Sequence, residues 1–162
     1  MMVYFVVPGD PKGKDRPRFS RYSGTVYTPE PTHAYQELVR EQYETMAHGL
    51  HFDDDEELVV YIAANFKIPK KVPKLKLAKM LDGEIRPKRV PDCDNVAKII
   101  LDALQPDKRH PDPIAFKDDK QVVKLVVEKY WSQKPFVAVY IASRSDYEAY
   151  GLGEVQDGRE MV

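Results

Sequence analysis

Four aspartates in two short segments are the residues of this sequence best suited to chemistry. The segment PDCDNVAKIILDAL places Asp92 and Asp94 one residue apart, and the later segment FKDDKQVVKLVV contains Asp118 and Asp119. Carboxylates that converge repel one another by several kcal/mol unless a cation offsets their charge. Because no histidine or thiolate cluster accompanies these acids, an oxygen-only site for Mg²⁺, with Mn²⁺ as the alternative, is the chemistry that they favour.

Each acidic pair also has a purely structural explanation. Either acid of the first pair can cap the helix that follows it, and the second pair can be turn residues before a strand. Calcium binding by an EF-hand loop is excluded, because that loop requires glycine and glutamate where this chain has Ala97 and Ala103. A zinc site is disfavoured, because the four histidines show no ligand spacing with Cys93, the one cysteine.

Lys98 follows Asp94 by one helical turn, on the same side of the predicted helix. A lysine there can hold a scissile phosphate and stabilise the charge that develops on it, while bound Mg²⁺ activates water. The simpler interpretation is an ion pair between Lys98 and Asp94. Together, the acids and this lysine are typical of a phosphodiesterase that acts on nucleic acid.

The formal net charge of −1 hides a segregation of charge along the chain. One basic stretch runs from Lys12 to Arg21, and a second, from Lys67 to Arg89, contains nine basic residues and two acids. Binding to a polyanion depends on local potential, so these stretches predict contacts with DNA phosphates. The residues predicted to bind DNA are Lys12, Lys14, Arg16, Arg18, Arg21, Lys70, Lys71, Lys74 and Arg89. A solvated amphipathic helix is the alternative for the lysines of the second stretch.

Hydrophobic periodicity predicts one domain of the α/β (α+β) class, with helices packed on a mixed β-sheet of about four strands. The predicted order is strand, helix, strand, helix, helix, strand, strand. Thr32 is expected to cap the first helix, and the last two strands are expected to form an antiparallel hairpin. The predicted strands cover 2–7, 57–66, 120–131 and 135–143, and the best-defined helix covers 94–105.

Length and composition are those of a globular protein with one domain. The chain has 162 residues, of which 43% are hydrophobic and 31% are charged. No apolar run approaches the ~20 residues of a membrane span, so no membrane association is expected. A single cysteine allows no disulfide within the chain and favours a reducing, cytoplasmic setting.

The two acidic segments, in this order and after a basic loop, resemble the RusA-type Holliday-junction resolvases, the crossover junction endodeoxyribonucleases of bacteria and their phages. The resemblance rests on PDCDNVAKIILDAL followed by FKDDKQVV, and on the N-terminal GDPKGKDRPRFSR and VYTPEPT. It spans roughly residues 3–141. It implies that Asp92, Asp94 and Asp119 are the catalytic, metal-binding carboxylates, with Lys98 as the important lysine. Asn95, Asp102 and Asp118 match as well, without a definite role, and Asp118 is a further candidate metal ligand.

The resemblance also implies a homodimer that binds four-way DNA junctions and, with Mg²⁺, nicks two strands symmetrically in recombination and repair. A RusA-like domain would cover residues 1–143, and residues 144–162 would be a partly flexible C-terminal extension. The segment QPDKRHPDPIAF, after the 94–105 helix, is longer than this family leads one to expect.

Two other functions fit the same residues. One is a related metal-dependent nuclease acting on other branched or single-stranded DNA. The other is a catalytically inactive DNA-binding module, for which loss of a carboxylate would leave function unaltered.

Overall fold

A computed structural model describes residues 1–151 of the chain. The strands are β1 Met2–Pro8, β2 Arg18–Phe19, β3 Val26–Tyr27, β4 Leu58–Lys67, β5 Val122–Ser132 and β6 Phe136–Ser143. The helices of this part are α1 Glu30–Ala47, α2 Lys74–Leu81, α3 Cys93–Leu104 and α4 Arg144–Tyr150, and a 3₁₀ turn, Asp119–Gln121, precedes β5. The predicted class, a single α+β domain, is confirmed. Most of the predicted flexible extension lies outside the described residues, and its first part forms α4.

Four strands form one mixed sheet in the order β1-β6-β4-β5. β6 is antiparallel to both β1 and β4, whereas β4 and β5 are parallel. The register between β4 and β5 pairs Leu58 with Val122 and Lys67 with Ser132. The turn that carries Asp119 therefore lies at the end of the sheet where β4 begins.

The predicted hairpin of β5 with β6 is wrong, because β4 lies between these two strands. Every residue of β6 is buried, and so is every residue of β4 except Lys67. β5 instead carries the exposed Lys124 and is only partly buried along most of its length. The two apolar strands take the central positions, and the more polar strand is left at the edge, where charged side chains can remain in water. Three residues between β5 and β6 suffice to cross the end of β4.

The helices α1 and α3 pack against one face of the sheet. Buried side chains of both helices, including Val39, Tyr43 and Ile100, join Phe5 and Ile62 of the sheet in one hydrophobic core. Burial of one side leaves the opposite side of α3 free for polar residues. No described helix has the length and hydrophobicity required to cross a membrane.

Thr32 does not cap α1, which begins after Pro29 with a second proline in its first turn. A proline suits this position because it needs no N–H partner. The Thr32 side chain is instead buried against the loop that follows β1, where its hydroxyl donates to an Asp15 carboxylate oxygen at 3.1 Å. This bond fastens the first basic stretch to α1.

Candidate active site

One side of α3 carries the chemistry-bearing residues of the first acidic segment. Asp94, Lys98 and Asp102, which we call the α3 polar flank, recur at four-residue steps and therefore face the same way. Asp94 and Lys98 are exposed, and Asp102 is partly buried. A rise of 1.5 Å per residue places Asp94 and Asp102 about 12 Å apart along the helix axis.

Asp92 occupies the N-cap position of α3, yet its side chain makes no capping hydrogen bond. The residue is exposed and directly follows Pro91. Asp92 therefore stands at the capping position, but its carboxylate does not perform the capping. Those oxygens remain available to a ligand.

Asp119 comes from the second acidic segment and lies at the other end of α3. Its backbone N–H donates to Gln105 Oε1 at 3.0 Å, and Gln105 Nε2 donates to Asp102 Oδ1 at 3.2 Å. Partial loss of hydration, then the charges of Asp118 and Asp102, raise the pKa of the Asp119 carboxyl. The fold thus brings acids from two distant segments together, and their repulsion makes the place attractive to a cation.

Asp118 is engaged in local structure. Its Oδ1 accepts a hydrogen bond from the backbone N–H of Lys120 at 2.9 Å, and Gln121 completes a reciprocal capping box. The backbone N–H of Lys120 is the largest of the influences that lower the pKa of Asp118. The turn interpretation of this residue therefore agrees with its hydrogen bonds.

Within residues 1–151, no three or more His, Cys, Asp or Glu side chains are grouped closely enough to hold a metal ion by themselves. The structure brings Asp119 to Asp102, while Asp92 and Asp94 lie at the opposite, N-terminal end of α3. The donor chemistry nevertheless fits Mg²⁺, which enzymes of phosphate chemistry hold through one or two carboxylates together with substrate phosphates and water. A complete cage of protein ligands is not required.

The first basic stretch packs along α3. The Lys14 backbone N–H donates to the Asn95 carbonyl at 3.3 Å, and the Lys14 ammonium group donates to the Asp102 carboxylate. A Cβ added at Gly13 would lie 2.9 Å from the Pro91 Cβ and 3.1 Å from the Asn95 Cβ. Only glycine allows this close approach of the loop to the start of α3.

Most of the predicted DNA-binding residues are exposed. Lys12 lies 3.3 Å from Asp15, and Lys14 is bonded to Asp102. The other seven make no ion pair with any residue in the described part of the chain. A cleft of about 350 Å³ is lined by Lys67, Lys70 and Arg89 of the second basic stretch, together with Asp10 and Pro11, which directly precede the first stretch.

Two further members of this site are Asp102 and Gln105. The sequence indicated Asp102, because it continues the four-residue series of Asp94 and Lys98, but gave it no definite role. Gln105 gave no signal, since its role depends on the path of the loop that returns Asp119 to α3. The loop after α3 therefore completes the site.

Two comparisons with known proteins found similar sequences. A family model described as "Endodeoxyribonuclease RusA" matches residues 8–142, which include both acidic segments and both basic stretches. YqaN of Bacillus subtilis (strain 168), described as an uncharacterized protein, is 33% identical over 148 residues, covering 86% of this chain and 94% of that protein. The resemblance found in the sequence is therefore confirmed over most of the chain.

Proposed function

Because this chain belongs to the RusA endodeoxyribonuclease family, we propose that it is a Mg²⁺-dependent nuclease that resolves four-way DNA junctions. One observation carries the proposal beyond family membership. Asp119, from a distant segment, lies beside the α3 polar flank, and the first basic stretch is bonded to the same flank through Lys14. Acids that repel one another and cations that attract DNA thus lie on one surface.

Asp92 and Asp94 at the start of α3, and Asp119 beside its C-terminal end, are the proposed metal-binding carboxylates. Because they lie at opposite ends of the helix, the two groups would hold separate ions, each with oxygens of the DNA phosphate and water as further ligands. Asp118 is included in this set, and its capped turn orients the neighbouring Asp119. Bound Mg²⁺, or Mn²⁺ in its place, would polarise the phosphate and lower the pKa of a bound water.

Lys98 lies between Asp94 and Asp102 on the α3 polar flank, exposed and without an ion pair among the described residues. In the proposal its ammonium group binds the scissile phosphate and stabilises the negative charge that grows on it. Hydrolysis joins a water oxygen to phosphorus and breaks the bond to the 3′ oxygen. That oxygen leaves with a proton, so the products are a 5′-phosphate and a 3′-hydroxyl.

The proposed substrate is a branched DNA whose paired strands are cut by a homodimer. A twofold axis relates equivalent strands of a four-way junction, and two active sites related by such an axis can cut both strands in one complex. The exposed cations of the two basic stretches are proposed to bind phosphates of the arms. We place this activity in the cytoplasm, in DNA recombination and repair.

The decisive experiment is Mg²⁺-dependent cleavage of a synthetic four-way junction by wild type and by Asp94→Asn. We expect Asp94→Asn to cut at least about a hundredfold more slowly while binding the junction as tightly or more tightly, because the repulsion of phosphate is reduced. Asp112→Asn is the matched control, since Asp112 is exposed, is not part of the proposed site and makes no ion pair in the described structure. It should cut at the wild-type rate.

Two results would replace the proposal with one of its rivals. Equal cleavage of a four-way junction, a flap and a single strand would indicate a nuclease with a broader substrate range. Metal-independent junction binding without cleavage by any of the three proteins would indicate an inactive DNA-binding module.

A further inference from the structure

An open cleft of about 690 Å³ adjoins Asp102 and is not used by the proposed hydrolysis. Its walls are β3, the first turns of α1, the C-terminal end of α3 and the loop that follows α3. That loop is the segment that is longer than the family resemblance leads one to expect. The volume lies within the about 300–1,000 Å³ of sites that enclose small organic molecules.

Two polar side chains of α1 line this cleft without a protein partner. Nδ1 of His33 is buried and has no hydrogen bond. Gln36 is only 5% exposed, and its amide makes no hydrogen bond with a described residue, but the amide atoms are not fully buried and remain open to the cleft. A buried polar atom is nearly always paired, because leaving it unpaired costs free energy. The unpaired His33 nitrogen, beside the open Gln36 amide, therefore indicates a ligand that supplies a partner.

The charge of the lining argues for a ligand with one neutral, polar ring rather than several phosphates. The lining contains three cations and three acids: Lys14, Lys108, Arg109, Glu30, Asp102 and Asp107. Arg109 lies 3.6 Å from Glu30, and Lys14 is bonded to Asp102, so little net charge is left inside. Lys108 is exposed and unpaired in the described structure, and can meet one phosphate.

An aromatic ring completes the lining. Tyr27 of β3 is 48% exposed and borders the cleft, so about half of this side chain is accessible to a stacking partner. Stacking on an aromatic side chain is how proteins commonly hold bases of unpaired nucleotides, because every base has such a face. The amide of Gln36 and the imidazole of His33 offer donors and acceptors to the edge of such a base.

We propose that this cleft binds one unpaired nucleotide of the DNA, with its base against Tyr27 and its polar edge toward Gln36 and His33. This inference rests on the proposed function, since the nucleotide is taken to belong to the branched substrate. Lys14 and Asp102 belong both to the cleft and to the catalytic surface. A base held in the cleft therefore positions a neighbouring phosphate beside the α3 polar flank.

The test is binding of a single-stranded tetranucleotide to the full-length protein without metal, followed by the fluorescence of a 2-aminopurine base. A second tetranucleotide, with abasic sites at all four positions, keeps the phosphates and removes every base; its affinity is measured by competition with the fluorescent tetranucleotide. We expect the abasic change to weaken binding by about 5- to 150-fold, the range of one stacked base. Tyr27→Ala and Gln36→Leu should weaken binding of the intact tetranucleotide and leave the abasic one unaffected.

Matched variants separate the cleft from the surrounding surface. Tyr27→Phe keeps the aromatic face and should bind like wild type. Tyr22→Ala removes a fully exposed tyrosine between β2 and β3, outside the cleft, and should change neither affinity. Equal affinity for the intact and abasic tetranucleotides in wild type would overturn the inference, and so would an equal effect of Tyr22→Ala and Tyr27→Ala.

Failure of this inference is distinguishable from failure of the proposed function. If base recognition is absent and the four-way junction is still cut, only the inference fails. If base recognition is found and no junction is cut, the cleft binds unpaired nucleotides but the proposed resolvase activity is wrong.

Discussion

Asp119 has a surface position but an environment that disfavours its charge. The loss of part of its hydration and the proximity of Asp118 and Asp102 raise the pKa of its carboxyl above the usual 3.8. The pKa of this carboxyl is higher in the folded protein than in the unfolded chain. Its contribution to the free energy of unfolding is therefore greatest at pH values below the unfolded-chain pKa, and it is lost as the pH rises through the pKa of the folded protein. At neutral pH the charged carboxylate therefore opposes folding, and a divalent cation would relieve that opposition.

Replacing Asp102 tests this account at the scale of a single residue. Asp102→Asn removes one of the charges near Asp119, so the pKa of Asp119 should fall toward 3.8 in the metal-free protein. The measurement is an NMR titration of the Asp119 carboxyl carbon. Asp112→Asn, at an exposed acid of the loop after α3 that has no ion pair in the described structure, should leave that pKa unchanged. An unchanged pKa in Asp102→Asn would show that lost hydration and Asp118, rather than Asp102, control the pKa of Asp119.

Among the elements, the loop after α3 is held to α1 by a buried arginine. Arg40 is 3% exposed and donates to the Ala103 carbonyl at 2.9 Å, to Glu37 at 2.8 Å and to Asp107 at 2.7 Å. Glu37 Oε1 also lies 2.7 Å from His110 Nε2. These bonds orient one wall of the cleft and the end of α3, so they connect the packing of two helices to the site.

Arg40→Gln should destabilise the fold by about 3–5 kcal/mol, because it leaves Asp107 and the Ala103 carbonyl without their charged partner. The matched variant is Arg109→Gln, in the same loop, whose arginine is about half exposed and lies 3.6 Å from Glu30. It should cost less than about 1 kcal/mol. Urea unfolding measures both values, and similar costs for the two variants would show that burial of Arg40 contributes little.

The same pair predicts a pH dependence. Partial burial pushes the pKa of Asp107 up, but the backbone N–H of His110 and the charge of Arg40 outweigh it and hold the pKa below its usual 3.8. A carboxyl whose pKa is lower in the folded protein than in the unfolded chain stabilises the fold at pH values above the unfolded-chain pKa. That stabilisation is lost as the pH falls through the pKa of the folded protein. Wild type should therefore lose stability below about pH 4 more steeply than Arg40→Gln, as followed by urea unfolding at several pH values.

Over the whole molecule, a net charge of −1 coexists with a cationic surface. Seven of the nine predicted DNA-binding cations are exposed and make no ion pair in the described structure. Other cations are neutralised by acids, as Lys14 is by Asp102, and Arg144 is by Glu57 at 2.7 Å and Glu148 at 2.8 Å. Local potential, rather than net charge, then determines where a polyanion binds.

Replacing Lys70 and Lys71 by glutamine should weaken junction binding. It should also reduce the slope of the logarithm of affinity against the logarithm of salt concentration by about one for each phosphate that the protein no longer neutralises. The measurement is junction affinity over a series of salt concentrations. Arg144→Gln is the control, because that arginine is already paired with two glutamates. If the double variant kept the wild-type salt dependence, the second basic stretch would not bind DNA.

The sequence alone determined the type of each main element, the four-stranded mixed sheet, the polar side of α3 and the family. These features follow from local patterns, because the spacing of apolar residues shows which side of a helix or strand is buried. Asp94, Lys98 and Asp102 face one way for the same reason. The identity of the acids and of the exposed cations likewise required no coordinates.

Only the tertiary structure decided which strands are neighbours and which distant residues meet. β5 and β6 follow one another closely, yet the more apolar β4 takes the place between them, because strands compete for the buried centre of the sheet. The hydrogen bond of Asp119 with Gln105 and the cleft beneath Tyr27 depend on the paths of loops. Those paths are determined by packing among distant segments, such as Arg40 against the loop after α3, and no local period encodes them.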